Sequence, residues 1–261
     1  MIKIERPVAV ITGAAQGIGR RVAETLAVRG YALALADLRE PKETLEAVRD
    51  VAMDAACFTG DVSADADVAA LAGEVGERWG RVDVLVNNAG VSLLSPAEET
   101  QPEQWRRVLE VNLTGPFLLS QVFGRMMLAA GSGSIINIAS VAGLRGVADR
   151  AAYNASKHGV LGLTRTLAVE WGGRGVRVNA ICPGWVKTEM DVADQASGGY
   201  TDRDITEHVP MGRFAAPQDI ASAVEFLADA TRSGFINGIA LPVDGGWTAD
   251  GSWTTLRTRK R

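Results

Sequence analysis

Short apolar runs alternate with amphipathic stretches along nearly the whole chain. Val8–Thr12 (VAVIT), Ala32–Ala36, Ala55–Thr59, Val84–Val86, Ser134–Ile138, Val176–Ile181 and Ile239–Val243 are dominated by Val, Ile, Leu and Ala. Runs of this length and composition are expected of strands buried on both faces of a sheet. Between them, Gly17–Arg29 carries Ile18, Val22, Leu26 and Ala27 at helical spacing, and Val68–Trp79 sets Leu71, Val75 and Trp79 on one side. Pro41 opens a helix with Leu45 and Val48 on its apolar face, and Ala151–Trp171 and Pro217–Ala228 read as further helices. Pro102–Leu128 reads as one long helix, bent at Gly115-Pro116 because a proline removes one helical hydrogen bond. Residues 184–216 read as irregular. Strands alternating with helices predict an α/β fold, a parallel sheet with helices on both faces. No linker, repeat or shift in composition divides residues 1–261, so one domain is expected.

Composition narrows the function classes. With 47% hydrophobic and 22% charged residues the chain is globular, and a net charge of −4 gives no reason to expect nucleic acid or a membrane surface as the main partner. The two cysteines, Cys57 and Cys182, sit in apolar runs far apart and read as buried free thiols, which fits a reducing compartment. The start MIKIERPVAVITG lacks the regions of a signal peptide, and no apolar run reaches the length of a membrane span. A cytoplasmic protein is the expectation.

Candidate chemistry lies in three stretches. TGAAQGIG (Thr12–Gly19) falls between the first strand and the first helix. Its glycines are not spaced as G-x-G-x-x-G, but a turn without side chains still lets backbone N–H groups and a helix N-terminus approach a pyrophosphate. Asp37 ends the second strand, where a carboxylate can accept hydrogen bonds from ribose hydroxyls and repel a 2′-phosphate. NAD is therefore favoured over NADP. The competing reading of Asp37 is a turn residue, and Arg39 reads as a solvated start to the next helix. In the third stretch, SVAGLRGVADRAAYNASK, Tyr153 and Lys157 stand one helical turn apart and project from the same face, with Ser140 just past a strand end. An ammonium near a phenol lowers its pKa and suits it to proton transfer near neutral pH. Taken alone, the pair is a packed tyrosine and a solvated lysine.

Together these stretches resemble the short-chain dehydrogenase/reductase family, in its branch of about this length, across roughly residues 7–248. The cofactor loop, Asn87-Asn88-Ala89-Gly90, and Asn112, Ser140, Tyr153 and Lys157 match its motifs in order and spacing. The resemblance implies a single Rossmann-type, doubly wound sheet of about seven strands and a homotetramer built through helices 102–128 and 151–171. It implies that Tyr153 exchanges the substrate proton and that Lys157 lowers the Tyr153 pKa and binds the nicotinamide ribose. Ser140 would hold the reacting oxygen, and Asn112 would support a water-linked proton path. Cofactor contacts are implied for Gly13, Gln16, Gly17, Ile18 and Gly19 of the loop, for Asp37, Asp61, Val62, Asn88, Ala89 and Gly90, and for Tyr153, Lys157, Pro183, Gly184, Val186 and Thr188. No metal is expected, since His158 and His208 make a poor ligand set.

The activity implied is interconversion of a secondary alcohol and a ketone with NAD(H). Substrate shape should be set by Ser92–Ser95, by Leu144–Arg150 and by 185–216, which resembles the family's substrate lid. Arg145, Asp149 and Arg150 would suit a sugar or polyol, or be solvated or paired with each other. Trp185 is the tryptophan to watch beside the nicotinamide, whereas Trp171, Trp247 and Trp253 read as core or interface residues. A 3-oxoacyl-thioester reductase and a hydroxysteroid-type dehydrogenase are alternatives, Asp37 counting against the first. A non-catalytic dinucleotide sensor would have lost tetrad residues, and all four are present. The closing cations of the tail, 250–261, offer weak support for a nucleic-acid binder; a frayed end or an arm on a neighbouring subunit is favoured.

Overall fold

Val8–Thr12 (β1), Ala32–Asp37 (β2), Ala55–Thr59 (β3), Val84–Asn87 (β4), Gly133–Ile138 (β5), Val176–Pro183 (β6) and Ala240–Val243 (β7) assemble into one sheet of order β3-β2-β1-β4-β5-β6-β7 in the computed structural model. Every neighbouring pair runs parallel. The structure describes residues 6–52, 54–196 and 200–252. Trp253 and most of the tail lie outside them.

Both faces of the sheet are covered, which is why its strands read as continuous apolar runs rather than alternating ones. Side chains nevertheless part by strict alternation. Ile11, Leu33 and Leu35 join one core with Leu26 of α1 (Gly17–Val28) and Ile220 and Val224 of the helix Pro217–Ala228. Val10, Ala34 and Leu85 join the other, against Leu71 and Val75 of Asp65–Trp79 and Phe123 and Met127 of Gly115–Ala130. In chain order the helices used below are α1, α2 (Lys42–Val48), α3 (Asp65–Trp79), α4 (Pro102–Leu109), α5 (Gly115–Ala130), α6 (Ala151–Gly172), α7 (Glu189–Ala196), α8 (Asp202–His208) and α9 (Pro217–Ala228).

Two expectations need correction. The stretch 102–128 is α4 and α5 joined by a π-helical turn, Glu110–Thr114, rather than one bent α-helix. Pro116 stands four residues after Asn112 and has no N–H to offer the Asn112 carbonyl, so the hydrogen-bond register shifts just before it. Segment 184–216 is not irregular throughout: its described residues include α7 and α8, the latter opened by a capping box in which Thr201 and Asp204 satisfy each other's backbone N–H groups. Among the described residues, no helix is long and apolar enough to cross a membrane and no group of side chains could hold a metal ion.

Candidate active site

Strand order reverses between β1 and β4, so the connections leaving these two strands diverge and open a crevice at their C-terminal ends. The sequence stitches the two ends together. Thr12 Oγ1 accepts from the N–H groups of Asn88 and Ala89, each at 3.1 Å, while Asn88 Nδ2 donates to the carbonyls of Thr12 (3.0 Å) and Gly13 (3.1 Å). The Asn88 side chain is thus spent on holding the loop. The glycines are required by the same closeness: Gly13 has φ +64°, and a methyl group on it would lie 2.8 Å from Asn88 Nδ2. A methyl group on Gly19 would run into the Gly13 carbonyl. Backbone N–H groups at the head of α1 therefore face the crevice without side chains in the way, a cradle that fits a pyrophosphate.

At one end of the resulting cleft, of about 420 Å³, Asp37 is held by two backbone donors, Ala15 N–H to Oδ2 at 3.0 Å and Arg39 N–H to Oδ1 at 3.1 Å. A carboxylate has lone pairs left over for a diol after two such bonds. Arg39 is exposed, as expected of a solvated residue, yet it is also tied to the cofactor-loop side of the cleft. Its Nη2 donates to Gln16 Oε1 at 2.7 Å, and both residues line the cleft. Asp61 pairs with Arg107 at 2.9 Å across the same end.

Ser140, Tyr153 and Lys157 line the other end. Ser140 follows β5 and caps the short turn Val141–Gly143, accepting from Ala142 N–H at 3.1 Å. Tyr153 and Lys157 share a face of α6. Lys157 is buried, donates to the Ile138 carbonyl at 2.9 Å, and lies 5.5 Å from the Tyr153 ring centroid. Burial pulls its ammonium down to about 8. The expectation that Lys157 lowers the Tyr153 pKa is not met in this arrangement: burial raises the phenol above its ordinary value, and the lowering influences are a hydrogen bond from Ser140 and the charge of Arg150.

Asn112 sits in the π-helical turn, 1% exposed, and does not reach the cleft surface. Its amide clamps Val91, accepting from the Val91 N–H at 2.8 Å and donating to its carbonyl at 2.9 Å. It also donates to Ser156 Oγ at 3.2 Å, and Ser156 in turn donates to the Tyr153 carbonyl at 2.7 Å. Apart from Asn112 and the packed Gly19, every expected site residue lines the cleft, including Ile18, Val62, Gly90, Pro183, Gly184, Val186 and Thr188. His158 is exposed on another face, against the Asn154 carbonyl. Trp185 lines the cleft and stacks edge-on with Trp247, ring centroids 5.0 Å apart.

Sequence reasoning misses Arg107, Asp191, Asp194 and Tyr200, all of which line the cleft. The last three lie in the segment that reads as irregular, where the helical spacing of Asp191 and Asp194 is the available signal. Arg150 pairs with neither Arg145 nor Asp149 but with Asp194 at 2.8 Å, and Arg145 donates to the Thr248 carbonyl.

Comparison with known proteins agrees with this geometry. A family model described as enoyl-(acyl carrier protein) reductase matches residues 13–248. D-Threitol dehydrogenase of Mycolicibacterium smegmatis is 43% identical over 250 residues, 94% of each chain. Cis-4-hydroxycyclohexanecarboxylate dehydrogenase of Sinomonas cyclohexanicum is 41% identical over 244 residues, 93% of this chain and 96% of that one. Among solved structures, a candidate NAD(P)-dependent gluconate 5-dehydrogenase from Beutenbergia cavernae, with NADP bound at low occupancy, superposes with a TM-score of 0.88 at 42% identity, covering 95% of this chain and 98% of that one. A cradle for a dinucleotide, a serine, tyrosine and lysine along one wall, and relatives of this kind over nearly the full length lead to one conclusion: the chain belongs to the short-chain dehydrogenase/reductase family.

Proposed function

We propose that this protein is an NAD-dependent dehydrogenase that interconverts a secondary alcohol of a sugar or polyol with the ketone. The observation that carries the reading is the placement of Ser140, Tyr153 and Lys157 at one end of a cleft whose other end presents Asp37. Bound nicotinamide supplies or accepts the hydride. The remaining work falls to the chain. Ser140 and Tyr153 hold the reacting oxygen between them, and Tyr153 takes the proton in oxidation and returns it in reduction. Lys157 brings a cation to the tyrosine face, and its amine is fixed by the Ile138 carbonyl. Asn112 positions the loop after β4 and, through Ser156, the first turn of α6.

Asp37 supports NAD, because a 2′-phosphate would meet its charge. A second cofactor reading has one observation in its favour: Arg39, tied to Gln16 beside the same spot, offers a guanidinium to such a phosphate. Trp105, Phe117 and Val169 are 37%, 44% and 84% exposed on α4, α5 and α6, which supports a homotetramer joined through these helices. Light scattering reads the mass directly. For the reaction itself the test is Tyr153→Phe, assayed by reduced-cofactor absorbance on a panel of polyols, sugars and ketones. Turnover should fall at least a thousandfold with NAD binding retained; substantial residual turnover would remove Tyr153 from the proton transfer.

A further inference from the structure

We propose that the substrate end of the cleft selects an uncharged polyol and rejects alcohols bearing a carboxylate, with Arg150, Asp191 and Asp194 as the specificity-determining residues. This rests on the alcohol-dehydrogenase reading above and names the substrate class of that same site.

Three separate stretches meet beside Tyr153. Arg150, just before α6, donates from Nη1 to Ser92 Oγ at 2.7 Å and from Nη2 to Asp194 Oδ2 at 2.8 Å. Ser92 Oγ donates to the same Asp194 oxygen at 3.1 Å, closing a triangle between the loop after β4, the head of α6 and the lid helix α7. The side chains of Arg150 and Asp194 are only 11% and 15% exposed, and the Arg150 guanidinium carbon lies 5.8 Å from the Tyr153 ring centroid. One turn earlier on α7, Asp191 lines the same cleft. It accepts from Tyr200 Oη at 3.0 Å and pairs with Lys187 at 3.2 Å. Burial and the two nearby carboxylates raise the Tyr200 pKa, so the phenol stays protonated.

The charges at this end decide the ligand. An arginine in an alcohol site ordinarily invites a substrate carboxylate, bound through two parallel N–H bonds. Here one guanidinium nitrogen already meets a carboxylate supplied by the protein, and the other is taken up by Ser92. A second carboxylate, Asp191, stands three residues away on the same helix. Its cation, Lys187, is 41% exposed and shared with Asp202, so it balances Asp191 from the solvent side. An incoming carboxylate would face two like charges in a poorly solvated cleft. A hydroxyl group has no such conflict. It donates to a carboxylate oxygen and accepts from a remaining N–H of the guanidinium, and a polyol offers several such groups at once. An alternative is that Asp194 holds the place of a substrate carboxylate, which displaces it when the lid opens; that alternative predicts the opposite preference.

The test compares neutral polyols (D-threitol, erythritol, glycerol) with carboxylate-bearing alcohols (gluconate, cis-4-hydroxycyclohexanecarboxylate), using the full-length protein with NAD and with NADP. For the wild type, kcat/KM should be at least tenfold higher on the best neutral polyol than on any acid. Asp194→Asn should raise the polyol KM about tenfold while improving kcat/KM on an acid by a similar factor, because Arg150 loses its internal counter-charge. Asp191→Asn should narrow the preference in the same direction, and it supplies the reading if Asp194→Asn does not fold, as judged by NAD binding. A wild type that prefers the acids, or a preference unmoved by both variants, overturns the inference. If acids are preferred and Tyr153→Phe still abolishes their turnover, only the substrate class falls. If neither class is turned over, the alcohol-site reading fails and this inference goes with it.

Discussion

Lys157 is a charge held where its charge is least welcome, so removing it should stabilise the protein while destroying its activity. Burial takes the ammonium from its ordinary 10.5 to about 8. That gap is worth about 3 kcal/mol against folding at neutral pH. Lys157→Met keeps an unbranched chain of similar length in a site that is 5% exposed, so packing changes little. The Ile138 carbonyl loses its donor, which costs about 1–2 kcal/mol. A net gain of about 1–2 kcal/mol at pH 7 remains, a rise in Tm of roughly 2–6 °C for a chain of this size.

The pH dependence separates this account from a generic packing effect. Below pH 8 the lysine is protonated in both the folded and the unfolded state, and the folded protein carries the whole penalty. Between 8 and 10.5 the folded protein has shed the proton and the unfolded chain has not, so wild-type stability climbs through this window. Above it the penalty is gone, and the variant retains only the lost hydrogen bond. The stabilisation by Lys157→Met should therefore shrink through this window and reverse at its top. Paired thermal melts from pH 6.5 to 10.5, without added cofactor, read the difference. A variant that melts lower at pH 7, or a difference that does not vary with pH, would refute the reasoning.

Three other substitutions test the rest of the site. Asp37→Ala should weaken NAD at least tenfold and remove the charge that repels a 2′-phosphate beside Arg39, so the ratio of kcat/KM for NADP over NAD should rise; an unchanged ratio would reduce Asp37 to a turn residue. Gly19→Ala should cost roughly 1–3 kcal/mol through the clash with the Gly13 carbonyl and should lose cofactor binding, measured by denaturant melts and NAD titration. Asn112→Ala should lower kcat more than it raises KM for NAD, because it frees Val91 and Ser156 without touching the cofactor loop; a change confined to KM would place Asn112 in binding instead.

The fold is largely legible in the sequence because a parallel sheet covered on both faces must be built from uninterrupted apolar runs, and Val8–Thr12 or Ser134–Ile138 have no other use. The cofactor loop is legible for a similar reason: a turn stitched this tightly at Thr12 and Asn88 leaves room only for glycine at 13 and 19. Segment 184–216 reads as irregular because it is rich in Gly, Asp and Thr, although Thr201-x-x-Asp204 already carries a capping box. The π-helical turn is not legible. A proline reports that one hydrogen bond is missing, not whether the helix bends or shifts register to compensate. Nor can Arg150 be paired from sequence, since its partner Asp194 lies on a helix that reaches it only through the fold.

Tyr153 is the residue whose chemistry the sequence pattern reads least well. Spacing puts a cation one turn away and implies an acidified phenol, but spacing carries no information on solvent. In the folded chain burial outweighs the favourable influences, and Ser140 is the chief opposing one. At neutral pH the pair is therefore loaded as an acid, with Tyr153 protonated and Lys157 charged. That state serves ketone reduction. Oxidation of the alcohol needs the phenol to accept a proton, so its kcat/KM should rise into the alkaline range while that of reduction stays flat up to about pH 8, where Lys157 discharges. Ser140→Ala removes the main lowering influence and should push the rise for oxidation to still higher pH. Profiles of kcat/KM in both directions, for wild type and variant, decide the matter: an oxidation profile that peaks at or below pH 7 would mean that burial does not govern the Tyr153 proton.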